Sequence, residues 1–382
     1  MTLKTSGVLV LGVCLLIAAL EGYDIQAFGV AAPRFVKELG LSPGEQGWAA
    51  SAAMIGLVIG SIVGGWAADR VGRKLVLLVS VAAFGLFSFG TAYSLDYQTL
   101  LLARLATGLG FGGALPSLII IAAEINPAKS RAGTIMTVFG GLPAGWAMVS
   151  LIARSAPEMD WRTIFMIGGV LPIIVAPLVY FLLPETRPQE KELDRRVLPA
   201  LFGQGKAAST LLLWTAFLMT LVVMYLMLNW LPTLVVAKGL TPKDGATASL
   251  SFNLASVVGA VLLGAIIDRA GFRWPLLAIY VLLAASLLGL AHATAAAGIM
   301  AFAGAVGFFV CGGQYALYAI APSLYAPQVR AAGSGAAVGV GRLGSIIGPL
   351  LAGELRAAGM SAETVLTVTV PVVLGAGVAA FA

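Results

Sequence analysis

Residues 21–26 read EGYDIQ and stand between two apolar runs, GVLVLGVCLLIAAL and AFGVAAP. Glu21 and Asp24 are three positions apart, which puts both carboxyls on about the same side of a helix. An ionised acid at mid-membrane costs about 2.5–3.5 kcal/mol on insertion scales. Such a group faces a cavity or pairs with a base, and protonation removes its charge. Proton coupling needs that property: an acid whose occupancy changes as access to it alternates. Neighbouring carboxyls titrate as a coupled pair, so the proton is assigned to the pair, with Asp24 favoured as its carrier. The competing reading is a polar pair satisfied by Tyr or Gln neighbours inside a helix bundle.

Two arginines also fall within apolar stretches, Arg104 and Arg342. A buried guanidinium wants a carboxylate, which its planar fork grips at two points. Arg104 is assigned to coupling with Glu21 or Asp24, because it lies in the same half of the chain. Arg342 is assigned to a substrate anion or to a gate, with a structural pair to Glu354 or to helix carbonyls as the alternative. Asn229 beside Trp230, and Gln314 beside Tyr315, place amides next to rings in oily segments. A pocket for a planar ligand combines rings with a few polar groups, so these four are candidate substrate contacts. Tyr23, Phe28, Phe252 and Tyr318 could add rings, although aromatic residues equally fill cores. Tyr93, Trp161 and Trp214 read as interfacial belts. His292, the single histidine, reads as a surface residue more readily than as a proton relay.

The elements that must hold these groups follow from composition. The 382 residues are 59% hydrophobic and 10% charged, against about 25% charged in a typical soluble domain. Lipid is therefore the expected solvent. Twelve spans are expected, at roughly 8–33, 46–68, 75–94, 99–123, 132–153, 163–183, 209–237, 247–267, 275–291, 297–320, 332–353 and 362–381. Loops on one side carry roughly twice as many Lys and Arg as those on the other, which puts both termini in the cytoplasm. The longest polar stretch, 184–208, reads as a cytoplasmic linker between six-helix bundles at 1–183 and 209–382. The net charge of +6 is spread over short loops, which argues against nucleic-acid binding. With one histidine, no CxxC and no HExxH, neither a metal nor a cofactor is expected, and an enzyme is disfavoured.

The two bundles echo each other at a spacing of 199 residues. GGWAADRVGRK (64–74) resembles LGAIIDRAGFR (263–273), which aligns Asp69 with Asp268 and Gly72 with Gly271. Arg131 and Arg330 share the spacing, as do Gly113 and Gly312. Repeats of this kind, parallel about an axis normal to the membrane, build one class of transporter. In each copy an acid closes a helix and bases follow in a tight turn. Asp69, Arg70, Gly72, Arg73 and Lys74, with Arg131, form a candidate cytoplasmic gate, echoed by Asp268, Arg269 and Arg330. The plainer alternative is a positive-inside anchor.

These motifs resemble those of the major facilitator superfamily. The loop after span two and its copy after span eight, ARLATGLGFGG (103–113) and LLPETRP (182–188) each look like a signature of that group. Three further patterns resemble the aromatic acid:proton symporter family. They are the acid-Gly-x-Asp of Glu21 to Asp24, LNWLPTL (228–234) and VGVGRLGSIIGPLLAG (338–353). Glu21 stands where many members have Asp, which is similar to transporters of hydroxyphenylpropionate. Phe272 stands where the first loop copy has Arg73.

The resemblance implies an all-α membrane protein with the major facilitator fold, in the bacterial inner membrane, acting without a cofactor. It implies import of a small aromatic carboxylate with protons by alternating access, the ligands binding in a central cavity between the halves. A monomer surrounded by lipid is expected. The alternative is a transporter or exporter of a non-aromatic organic acid or a drug.

Overall fold

The computed structural model describes residues 7–125, 137–138, 140–185, 201–203, 205–325 and 329–381, and among these no strand occurs. The first six long helices are α1 (Gly7–Glu38), α2 (Pro43–Val71), α3 (Arg73–Ala92), α4 (Tyr97–Ile125), α5 (Gly141–Ser155) and α6 (Trp161–Leu182). The next six are α7 (Ala207–Ala237), α8 (Pro242–Ala270), α9 (Arg273–His292), α10 (Ala296–Ile320), α11 (Arg330–Ala357) and α12 (Ala362–Phe381). Eleven are long and apolar enough to cross a membrane, and α5 is described over 15 residues. The chain divides into two compact units, Met1–Lys191 and Glu192–Ala382. Arg131, most of the 184–208 stretch and the start of the expected fifth span lie outside the described residues, as does the Asp268 side chain.

Several helices overrun their expected ends, for identifiable reasons. The first continues through Pro33 to Glu38, because a membrane helix accommodates an internal proline. The eighth starts at Pro242 rather than 247, because Thr241 and Asp244 close a capping box around its first turn. Ser42 and Glu45 close the same box before Pro43 at the start of α2. The boxes are 199 residues apart, so the repeat extends to the way a helix begins.

The repeat also governs packing. In the first unit α2 packs on α4, and α1 on α5; in the second α8 packs on α10, and α7 on α11. A methyl group added at Gly145 of α5 would meet the Ala19 carbonyl of α1. One added at Gly344 of α11 would meet the Leu218 carbonyl of α7, so each member of the first contact recurs 199 residues later in the second. Gly108 against Ala53 and Gly307 against Phe252 repeat the arrangement for the other helix pairs. Small residues at these crossings let backbones touch, which is how helices gain contact where lipid offers no hydrophobic drive. Because the obstacle at Gly145 is backbone, Gly145→Val should sharply lower the yield of folded protein. Size-exclusion profiles in detergent test this, and a monodisperse peak at the parental yield would contradict it.

Burial identifies the helices that carry chemistry. Every residue from Leu20 to Ala32 of α1 is buried, and so is every residue from Thr220 to Pro232 of α7. Trp161, expected in an interfacial belt, is instead 2% exposed. Its ring packs on Phe35 and Phe165, and its indole N–H donates to Glu38 at 2.7 Å. Tyr93 is 65% exposed, as a belt residue would be.

Candidate transport site

The polar centre of the first unit is built on Asp24. Its Oδ1 accepts from Arg104 Nη1 of α4 at 2.5 Å, and its Oδ2 accepts from the Ser88 hydroxyl of α3 at 2.5 Å. Asp24 and Arg104 are 0% and 1% exposed. Ser88 also lies 3.1 Å from the Phe165 carbonyl of α6, and the Tyr23 hydroxyl donates to the neighbouring Ile164 carbonyl at 3.0 Å. Four helices thus converge on one carboxylate. The Arg104 guanidinium also lies 5.4 Å from the Phe28 ring centre and 5.7 Å from that of Phe165. Aromatic faces attract a desolvated cation, so this base is held by one anion and two rings. Glu21 is completely buried one turn earlier on α1.

A buried ion pair is costly to form and much costlier to break. Here each carboxylate oxygen has a charged or hydroxyl donor, so the ionised form of Asp24 is well satisfied. A proton added at Oδ1 would displace the Arg104 contact, whereas Ser88 could stay on Oδ2. Protonation therefore acts on a single defined bond between α1 and α4.

The second unit carries its own polar centre on α7, α10 and α11. Arg342 Nη1 of α11 donates to the Tyr225 hydroxyl of α7 at 3.0 Å. Arg342 is half-buried, and Tyr225 is buried. Asn229 Nδ2 donates to the Tyr225 carbonyl at 2.9 Å, and the Trp230 indole donates to the Pro349 carbonyl at 3.1 Å. Asn229 and Trp230 thus use those N–H groups within the protein itself. Cys311 of α10 places its sulfur 3.9 Å from that of Met224 on α7. Tyr315 is half-buried, within electrostatic reach of Tyr225, and packs edge-on against Tyr318. Gln314 is 2% exposed, and among the described residues neither amide heteroatom has a hydrogen-bond partner.

The candidate gate residues that are described lie at or next to helix ends. Gly72 takes φ 102°, which only glycine adopts freely, and Gly271 takes φ 75° in the second copy. Asp69 and Arg70 are exposed, and among the described residues Asp69 makes no ion pair. Arg70 instead stacks 3.8 Å from the Trp66 ring centre, and Lys74 lies 5.3 Å from that of Tyr180. Arg73 is buried, whereas Arg269 and Arg330 are exposed. The Glu185 carboxylate sits over Gly72 and accepts from the Lys74 backbone N–H at 3.4 Å. An acid at the start of α3 is favoured by the helix dipole. His292 is exposed and faces Glu363 at 3.0 Å.

Three residues in these clusters escape sequence reasoning: Ser88, Tyr225 and Glu185. Glu185 lies within the PETR-like stretch, so a signal existed for it. Ser88 and Tyr225 carry none, because such residues are common in spans and gain meaning only from what stands opposite.

The family described as Major Facilitator Superfamily matches residues 14–349 and 239–382. The 3-(3-hydroxy-phenyl)propionate transporter of Escherichia coli (strain K12) is 40% identical over 375 residues, covering 98% of this chain and 93% of that protein. The gallate transporter of Pseudomonas putida is 31% identical, with 94% and 88% covered. Among solved structures, a bacterial homolog of the human lysosomal transporter Spinster, inward-facing and unoccupied, superposes with a TM-score of 0.77 at 18% identity. That superposition covers 100% of this chain and 97% of the other. With the repeated packing of the twelve long helices among its described residues, this chain belongs to the major facilitator superfamily, carriers rather than enzymes, and within it to the family of aromatic-acid transporters.

Proposed function

We propose that the protein is a proton-coupled importer of an aromatic carboxylate, working by alternating access as a monomer in the bacterial inner membrane with both termini cytoplasmic. The observation that carries this reading is the buried Asp24, held by Arg104 and Ser88, in a chain related to transporters of hydroxylated aromatic acids. Asp24 carries the coupled proton, with Glu21 as its neighbour on α1 and Arg104 as the base that responds to it. Arg342 receives the substrate carboxylate, and Tyr315 and Gln314 face its ring. Asp24 also takes part in the substrate-bound state, because its charge decides whether Arg104 is held by a carboxylate or released to other partners. Trp230 and Asn229 shape the α7 wall. Asp69, Arg70, Gly72, Arg73, Lys74 and Arg131, with Asp268, Arg269 and Arg330, form the cytoplasmic gate, to which Glu185 is added.

The test is uptake into proteoliposomes under an inward proton gradient. Radiolabelled 3-(3-hydroxyphenyl)propionate, gallate and 4-hydroxybenzoate are offered separately. Saturable accumulation of at least one is expected. Folded protein that accumulates none would overturn the reading.

A hydrogen bond to a charged group contributes about 1.5–3 kcal/mol. Tyr225 positions Arg342 through such a bond. Tyr225→Phe is therefore expected to raise KM about tenfold or more while leaving kcat within a few-fold. Equal KM values for the two proteins would remove Tyr225 from the site.

A further inference from the structure

Gln314 poses a question that the carboxylate-binding reading leaves open. Its side chain is buried at 2% exposure, yet among the described residues neither Nε2 nor Oε1 has a hydrogen-bond partner. Burying an amide without partners is costly, so a native core seldom keeps one that nothing uses. On α10 the residue stands three positions after Cys311 and four before Tyr318, spacings that share one helix face, with Tyr315 next to it in sequence. That face meets α7 through the contact of Cys311 with Met224. Tyr225, the next residue of α7, holds Arg342. The amide and the guanidinium are thus linked through one short stretch of α7.

The two groups ask for different chemistry. The guanidinium only donates, and it suits a carboxylate. The amide both donates and accepts. A carboxylate against it would satisfy Nε2 and leave Oε1 facing negative charge. A hydroxyl on an aromatic ring matches both atoms, because it accepts from Nε2 and donates to Oε1. Apolar ring edges match neither.

We propose that Gln314 is the specificity residue that reads a ring hydroxyl, so that the substrate is a hydroxylated aryl carboxylate rather than an unsubstituted one. This rests on the aromatic-carboxylate reading above. A site built to hydrogen-bond a substrate hydroxyl rejects the analogue that lacks it, because the buried amide is then left unpaired.

The experiment compares two compounds that differ by one oxygen, 3-(3-hydroxyphenyl)propionate and 3-phenylpropionate, in proteoliposomes under an inward proton gradient. The parent protein is expected to favour the hydroxylated compound in kcat/KM by about tenfold or more. Gln314→Met keeps length and removes the amide, and it should bring the ratio close to one, chiefly through the KM of the hydroxylated compound. Gln314→Ala, which introduces no packing strain, should give the same collapse. A ratio unchanged in both variants overturns the proposal. So does an equal loss for both compounds in folded protein, which would mean that the amide serves packing or bound water. A parent protein that transports both compounds without preference overturns this inference and leaves the aromatic-carboxylate reading standing. Transport of neither removes that reading, and this inference with it.

Discussion

Asp24→Asn is expected to abolish gradient-driven accumulation, measured on folded protein, with some loss of stability because the buried Arg104 charge is left without its carboxylate. The side chain keeps its size, and Ser88 can still donate to the amide oxygen at the position now 2.5 Å from Oδ2. What disappears is the only negative charge that meets Arg104 in the described ion pairs of this cluster, together with the site for a mobile proton. A carrier with a fixed neutral group at this point can at most exchange substrate down its own gradient. Counterflow should therefore persist at some level where accumulation does not. The comparison is between uptake under a proton gradient and exchange of labelled for unlabelled substrate at equal pH. Parental accumulation by Asp24→Asn would show that the coupled proton binds elsewhere.

Arg104→Gln is expected to lower stability, because it strands the buried Asp24 carboxylate. Removing one partner of a buried ion pair leaves an uncompensated charge and costs about 3–5 kcal/mol. The carboxylate it strands is 0% exposed, so relief must come from protonation of Asp24 rather than from water. Replacing both partners by neutral groups is often close to neutral for stability. The double variant Asp24→Asn, Arg104→Gln should consequently recover most of the thermal stability lost by Arg104→Gln, yet recover none of the accumulation. This separates the structural part of the pair from its coupling part. Thermal unfolding in detergent reads the first and proteoliposome uptake the second. Additive losses of stability would mean that the two residues act independently, contrary to their contact.

The helices and their repeat were legible because each rests on a strong, periodic signal. Runs of apolar residues locate the spans, and paired landmarks such as Asp69 and Asp268 locate the repeat. The same spacing of 199 then reappears in three dimensions, in capping boxes and in glycine contacts that no single motif announces. Buried charge was also legible, since an ionisable group in an oily segment stands out at once. Which carboxylate Arg104 would meet was not. Glu21 and Asp24 differ by three positions on α1, and the choice depends on how α1 and α4 are rotated against each other. Trp161 misled for a related reason. Near the end of a span an indole usually marks the membrane interface, but Glu38, Phe35 and Phe165 form a complete buried setting for it. Trp230 and Asn229 look like ligand contacts in sequence, whereas the Trp230 N–H is taken up by Pro349 and one N–H of Asn229 by Tyr225.

The most direct test of coupled transport is the proton movement itself. Proteoliposomes carrying a pH-sensitive dye inside are held at equal pH on both sides, and 3-(3-hydroxyphenyl)propionate is added outside. Acidification of the lumen is expected, saturable in substrate and exceeding that in both protein-free vesicles and vesicles with Asp24→Asn, since weak acids also cross lipid unaided. Acidification no greater than in protein-free vesicles, while labelled substrate enters at a saturable rate, would contradict proton coupling.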